Sequence, residues 1–442
     1  MNLTRELVAA IDIGTLRTRG AIGRFTTDGK LEIVAFCEAL TQGVRNGVVV
    51  NIDEAASSVK TVISSLENSL NLKVRKVFAG ISGQKICNRQ SVGYRMTDNG
   101  EVTQSIINSL IGEAQRYGSG PGEKVYHLTP QEFIVDGERG VNNPVGMAGH
   151  RVDAAFTVIS ASEMYEQNLR RSIEKAGYEL AGAFINPYVQ GAGFLSKDEK
   201  EAGVILIDFG AGTTGVSLYY ENKLRLAAEL PFGGNVISND IREGCNIIPR
   251  HAEMVKIQCG YAFSELVPDN KFAQIPEVEG WHAKEISFRN LSGIIQARLE
   301  EIIEGINYQL ESTKLLNKLG AGIVLAGGGS NMRGIDKLVS YMTGFDVRFG
   351  KPVVPINKDL YSEQVMNAAS ANLMGLLING LFQARNQKYP AGMIVSNTSG
   401  EEPKKQQVKS QGSGLKNMVS DLFGIAKNGI NGLMSDEDSE IN

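Results

Sequence analysis

Apolar and polar positions along this chain follow strand and helix periods by turns, and the sharpest signal is a run with no polar break. Val204, Ile205, Leu206 and Ile207 are consecutive, as in a strand buried on both faces. Asp208 ends the run, and Gly210, Gly212, Thr213 and Thr214 make the turn after it. The same pattern stands near the start: apolar residues 7 to 11, then Asp12, Gly14 and Thr15. The segment after each copy also repeats. After the first comes a strand to residue 25, a turn at Asp28-Gly29 and a strand from residue 31. After the second comes a strand to residue 220, a turn at Glu221-Asn222 and a strand from residue 224. Two strand–turn–hairpin units predict a duplicated fold whose two turns face one ligand. A third apolar run, 323 to 326, enters Gly327, Gly328, Gly329 and Ser330, with a helix expected from about Arg333.

The spacing predicts a helix over 54 to 68, capped by Asp53, with Ala55, Val59, Val62, Ile63 and Leu66 inward. A strand over 74 to 81 comes next. Residues 84 to 160 read as an insertion: a strand, a helix over 103 to 117, a glycine-rich turn, then strands, one an edge strand starting at Pro130. Ser160 with Glu163 predicts a capping box for a helix reaching residue 176. A strand over 180 to 185 meets Asn186-Pro187. Gly233-Gly234 lead into a helix, and Glu253 and Lys256 share one helix face, either as a surface salt bridge or as ligand contacts. A long helix is expected over 291 to 319 and another over 363 to 382.

From residue 386 to 413 apolar groups are few, which predicts a disordered linker with a span of about 30 Å. Residues 414 to 434 then carry Leu415, Met418, Val419, Leu422, Phe423, Ala426, Ile430 and Leu433 on one helical stripe. Glycines 424, 429 and 432 weaken that helix, so it is expected to order only on docking. Its targets are a membrane interface, a partner groove or the body of the protein. The acidic tail 435 to 442 is unfavourable beside anionic lipid.

Composition narrows these readings. The chain has 442 residues, enough for two to four domain-sized units, with 42% hydrophobic and 21% charged residues. A net charge of −4 gives no nucleic-acid footprint. Four scattered cysteines fit reduced thiols rather than disulfides or zinc. Arg5, Glu6 and the interrupting Asp12 make the opening unlike a signal peptide, and no apolar run reaches membrane-spanning length.

The candidate chemistry is phosphate binding. Glycines 210 and 212 let backbone N–H groups approach an anion, and Thr213 and Thr214 add hydroxyl donors. Asp208, and Asp12 in the first copy, suit a hydrated Mg²⁺ held through water. Arg17, just past the first turn, is either a phosphate-side cation or a solvated strand-end cation. These turns, with the late Ala326-Gly-Gly-Gly-Ser330 segment, resemble the actin, sugar-kinase and heat-shock-chaperone superfamily. Within it, the segment order over residues 7 to 385 resembles the bacterial FtsA cell-division family. The phrases at 128 to 136 and 143 to 151 are similar to that family's inserted subdomain.

The resemblance implies an α/β, actin-like two-lobe ATPase fold of four subdomains with an FtsA-type insertion (1C) in the first lobe. Subdomain 1A would take residues 1–83 and 161–200, 1C 84–160, 2A 201–241 and 306–385, and 2B 242–305. It implies ATP and Mg²⁺ between the lobes, with Glu253 and Lys256 toward the ribose and base. Asn186 stands where the superfamily has a Glu or Gln that positions water. A shorter amide implies slow hydrolysis or none, with Gln190 a possible substitute, so the protein is expected to be at most a slow ATPase. Gly375 resembles the small residue at which two interlobe helices cross. The implied role is a filament of head-to-tail copies that binds the FtsZ C-terminal peptide through 2B and other division proteins through 1C. The terminal helix would attach it peripherally to the cytoplasmic membrane face at the division site. The rivals are a PilM-like adaptor of pilus assembly and an actin-fold small-molecule kinase.

Overall fold

The computed structural model describes residues 7–277, 283–357, 361–386 and 394–396. The chain opens with β1 (Val8–Ile13), β2 (Arg17–Phe25) and β3 (Leu31–Leu40), an antiparallel meander. A two-residue pair, β4 (Val44–Arg45) and β5 (Val48–Val49), leads to α1 (Ile52–Leu70), β6 (Leu72–Val74) and β7 (Lys76–Ile81). Asn51, not Asp53, caps α1: its side chain accepts the N–H groups of Asp53 and Glu54.

The insertion comprises β8 (Ile86–Met96), α2 (Gln104–Tyr117), β9 (Glu123–Val135), β10 (Glu138–Val141) and β11 (Arg151–Ser162), in sheet order β10-β9-β11-β8. Pro130 lies in the middle of β9 rather than at its start, opposite Phe156 where the register shifts. A bulge tolerates the missing N–H. The chain returns through α3 (Glu163–Lys175), β12 (Glu179–Ile185) and α4 (Asn186–Phe194). Ser160 forms no capping box. It belongs to β11, and its hydroxyl donates to Glu123 at 2.8 Å.

The second lobe repeats the plan. After α5 (Lys197–Ala202) come β13 (Val204–Phe209), β14 (Thr214–Tyr220) and β15 (Lys223–Leu230), then α6 (Gly234–Cys245) and α7 (Pro249–Cys259). The hairpin β16 (Phe272–Ile275) and β17 (Lys284–Ser287) precedes α8 (Phe288–Glu311), which ends eight residues before the expected 319 because a turn and a 3-10 segment replace its last stretch. Next stand β18 (Ile323–Ala326), α9 (Ile335–Thr343), β19 (Val347–Phe349), the short α10 (Ser362–Val365) and α11 (Ala371–Asn386). The single helix expected over 363 to 382 is thus two helices around a 3-10 turn. β20 (Ile394–Ser396) pairs with β6 and so puts structure inside the expected linker. The rest of that linker, the helix over 414 to 434 and the acidic tail lie outside the described residues.

The two five-stranded sheets have matching orders, β3-β2-β1-β7-β12 and β15-β14-β13-β18-β19. Helices α4 and α11 lie between them, which explains the unbroken apolar run. Val204 and Leu206 face the core that holds α4 and α11, while Ile205 and Ile207 face the core of α6 and α8. The insertion docks on β15. The Asn88 amide donates to the Ala227 carbonyl at 2.6 Å and accepts its N–H at 2.9 Å, side chain substituting for a strand partner.

The two interlobe helices touch at Gly375, where a Cβ would sit 2.1 Å from the Val189 carbonyl oxygen. Gly375→Ala should therefore push α4 and α11 apart and destabilise the protein by about 1–3 kcal/mol. A lowered unfolding midpoint in urea checks this, and an unchanged midpoint contradicts it.

Candidate functional site

Between the lobes lies a cavity of about 400 Å³. Its floor is built by the ends of β1, β13 and β18, where three polar turns leave three buried strands. The turn after β1 closes with Gly14 N–H donating to Arg17 O at 3.1 Å; the turn after β13 closes with Gly210 N–H donating to Thr213 O at 2.9 Å. The turns meet across the cleft. A Cβ on Gly212 would lie 2.4 Å from Thr15 Oγ1, so only glycine allows the lobes to close this far. Gly327 has φ of 84° and its Cβ would fall 2.2 Å from Asp208 Oδ1. Gly328 has open space before it.

Most residues singled out from the sequence line this cavity: Asp12, Gly14, Thr15, Arg17 and Asn186 from the first lobe side. From the second come Asp208, Gly210, Gly212, Thr213, Glu253, Lys256, Gly327, Gly328 and Gly329. Three do not line it: Gln190, which instead reaches Asp208 from α4, Thr214 and Ser330. Thr214 is fully buried with its hydroxyl donating to Phe232 O, and Ser330 donates to Gly327 O. Ser330 thereby closes its own turn, and Thr214 ties its turn to the loop after β15. Arg17 lines the cavity, yet its Nη1 donates to Glu38 at 2.8 Å.

Glu253 and Lys256 form more than a surface pair. The Lys256 ammonium donates to Glu253 Oε2 at 2.7 Å, Ser238 Oγ at 2.8 Å and Gly234 O at 2.9 Å. This ties α7 to the start of α6 beside an apolar wall of Ile237, Ile257, Leu299 and Met332.

Asp12 and Asp208 define the electrostatics. Burial pushes Asp208 up to about 7, and the like charge of Asp12 adds to it. Burial lifts Asp12 to about 6 against the nearby Arg19 guanidinium. Gln190 Nε2 donates to Asp208 Oδ2 and to Asn372 Oδ1, both at 2.6 Å. Asn186 Oδ1 and Gln190 Oε1 are buried without a donor. Two crowded acids suit a hydrated divalent cation, whose charge would draw both acids down. Among the described residues no three His, Cys, Asp or Glu side chains converge as a direct metal site. A cation held here would keep most of its waters.

Three members of the site were not legible as such in the sequence: Arg19, Asn372 and Glu229. Glu229 is the most telling, since an acid inside the apolar stretch of β15 is itself a signal of a buried role. Its Oε2 accepts from the Ser82 hydroxyl at 2.5 Å and the Gly83 N–H at 2.6 Å, across the lobes. Burial raises it to about 8.

Comparison with known proteins agrees with this architecture. The family description "Cell division protein FtsA" matches residues 205–375, and "SHS2 domain inserted in FTSA" matches residues 83–160. The chain is 31% identical over 353 residues to the cell division protein FtsA of Neisseria meningitidis serogroup B, covering 80% of this chain and 85% of that one. Among solved structures it resembles the PilM-PilN type IV pilus biogenesis complex with TM-score 0.62 and 17% identity, over 85% of this chain and 98% of that chain. It also resembles MreB5 of Spiroplasma citri bound to ADP, with TM-score 0.51 and 15% identity, over 86% of this chain and 98% of that one. The fold is actin-like.

The three raised acids set a pH dependence. Asp12, Asp208 and Glu229 keep protons in the folded chain that they would lose unfolded above 3.8 to 4.5. Their stabilisation is complete below that range and is lost as pH rises through about 6, 7 and 8. The thermal midpoint without metal should fall between pH 5 and about 8.5. Asp208→Asn should flatten the fall and Mg²⁺ should oppose it at the alkaline end. Equal slopes for wild type and Asp208→Asn would contradict this assignment.

Proposed function

This chain belongs to the FtsA family of cell-division proteins, and on that premise we propose that it is an ATP-binding, filament-forming adaptor that attaches FtsZ filaments to the membrane. The observation that carries the ATP reading is the closure of two Asp–Gly turns and a triple-glycine turn around one cavity, with Thr15 against Gly212. Backbone N–H groups of these turns would hold the phosphates from both lobes. Asp12 and Asp208 would hold Mg²⁺ through water. Asn186 would face that water, and the apolar wall beside Glu253 and Lys256 would take the ribose and base. ATP then serves as a clamp on the angle between the lobes.

Copies would join head to tail, a heterologous contact that gives an open polymer. Second-lobe residues 242–305 would receive the FtsZ C-terminal peptide, and the insertion would meet the next copy and other division proteins. Among the described residues no helix is long and apolar enough to cross a membrane. The apolar stripe from Leu415 to Leu433 would supply a peripheral attachment at the cytoplasmic face of the division site. Likeness to the pilus complex at 17% identity is one of fold.

Electron microscopy on a lipid monolayer with Mg-ATP tests the proposal, comparing the full chain with a version ending at Ser413. Filaments on lipid with the full chain and bare lipid with the shortened one are expected. Absence of lipid binding by both would overturn the tether and favour a pilus-type adaptor, while phosphorylation of sugars or acids by the purified chain would favour the kinase.

A further inference from the structure

The two sheets repeat one another strand for strand, and the repeat exposes one exchange. In the first, Asp12, Arg19 and Glu38 stand directly opposite one another on β1, β2 and β3. In the second, Asp208, Gly215 and Glu229 stand opposite one another on β13, β14 and β15. Opposed residues in antiparallel strands share a face. Each sheet therefore carries an acid, a middle position and a second acid in one row. In the first row Arg19 fills the middle, and its Nε donates to Glu38 at 3.0 Å. In the second row the middle is glycine, and the outer acid has no cation.

The position above Gly215 has room for a methyl group in ordinary contact with its neighbours. A Cβ there would lie 3.7 Å from Asp208 Cβ, 3.7 Å from Pro187 Cγ and 3.8 Å from Gln190 Nε2, all ordinary contacts. Glu229 is 7% exposed and lines the cleft with Asp12, Asp208 and Asn186. Both of its hydrogen bonds fall on Oε2, from Ser82 and Gly83, so the carboxyl is fixed while Oε1 is left for the cavity. Asn186, at the start of α4, has an Oδ1 with no donor.

We infer that Glu229 is the catalytic carboxylate of nucleotide hydrolysis in this chain, its Oε1 holding and deprotonating the attacking water in the cleft. This rests on the ATP reading above. In the step, a water proton passes to Glu229 Oε1 as the water oxygen bonds to the terminal phosphorus. The bond from that phosphorus to the bridging oxygen breaks, leaving ADP and inorganic phosphate, and Glu229 returns the proton to solvent. Burial, with the charges of Asp208 and Asp12, raises Glu229 to about 8, which places the base near working pH.

The test uses the full chain with Mg-ATP and three readouts: affinity by calorimetry, single-turnover phosphate release, and the infrared band of a protonated carboxyl in the ligand-free protein. Glu229→Gln should bind Mg-ATP within about threefold of wild type and release phosphate about 100-fold more slowly. It should also lose the wild-type rise in rate toward pH 8 and lose a carboxyl band that titrates near 8. Gly215→Ala keeps the fold, because its Cβ meets nothing closer than 3.7 Å, and should slow release at least about tenfold by placing a methyl group beside Asp208 and Gln190. Should Glu229→Gln not fold, Gly215→Ala decides. Wild-type rates in the variants, an unchanged pH profile in Glu229→Gln, or a wild type that binds Mg-ATP and releases no phosphate would overturn the inference. A wild type that binds no Mg-ATP overturns the nucleotide reading itself, and this inference with it.

Discussion

The contact on which the rest depends is the crossing of α4 and α11 between the two sheets. Gly375 lies against the Val189 carbonyl, and the next residue along α4, Gln190, reaches Asp208. Asn372, one turn before Gly375, bonds the same side chain network. Two backbones packed this closely cannot shift independently, because interiors are dense and resist small displacements. The hinge between the lobes is thus joined by side-chain bonds to the acid at the centre of the cleft. A change in the charge of Asp208 would therefore be felt first by these two helices.

Duplication supplies the frame, and its breaks in symmetry supply the chemistry. Matching sheets place Asp12 and Asp208 at equivalent strand ends, but only the first sheet neutralises its outer acid. The second leaves Glu229 among hydrogen-bond donors from the opposite lobe. Ser82 and Gly83 stand where the chain leaves β7 for the insertion, and Asn88 of the insertion binds Ala227 two residues from Glu229. The insertion, covalently part of the first lobe, is therefore seated on the edge strand of the second. That seating also covers a strand edge that would otherwise be open to another chain.

Much of this was legible in the sequence because it depends on local rules. Both Asp–Gly turns, the triple glycine and the repeated hairpins follow from apolar runs ended by residues that cannot continue them, and the actin-like fold follows from their order. Helix ends were read less well. Asn51 competed with Asp53 for the cap of α1, and Ser160 had the spacing of a cap but lay in a strand pairing that spacing does not reveal. Thr214 and Ser330 sit in the right turns with hydroxyls directed to backbone carbonyls, a choice made by rotamer and packing. Glu229 could not be placed in the cleft from sequence, since its role depends on register with Gly215 and on two donors about 147 residues away in the other lobe.

Charge balance limits what this cleft can accept. Of the cations lining the cavity, Arg19 acts on Asp12 and Asp208, and it is already shared with Glu38 and the Ala369 carbonyl. A polyphosphate alone would add several negative charges to a cavity that already holds its acids partly protonated, and burial makes like charges more costly than in water. Neutralisation has to arrive with the anion. A divalent cation carried on the phosphates would meet Asp12 and Asp208 through its waters and turn two unfavourable acids into ligands. On the proposed reading, cation ligation and ionisation of the two acids would be one event, felt at the α4–α11 crossing through Gln190 and Asn372.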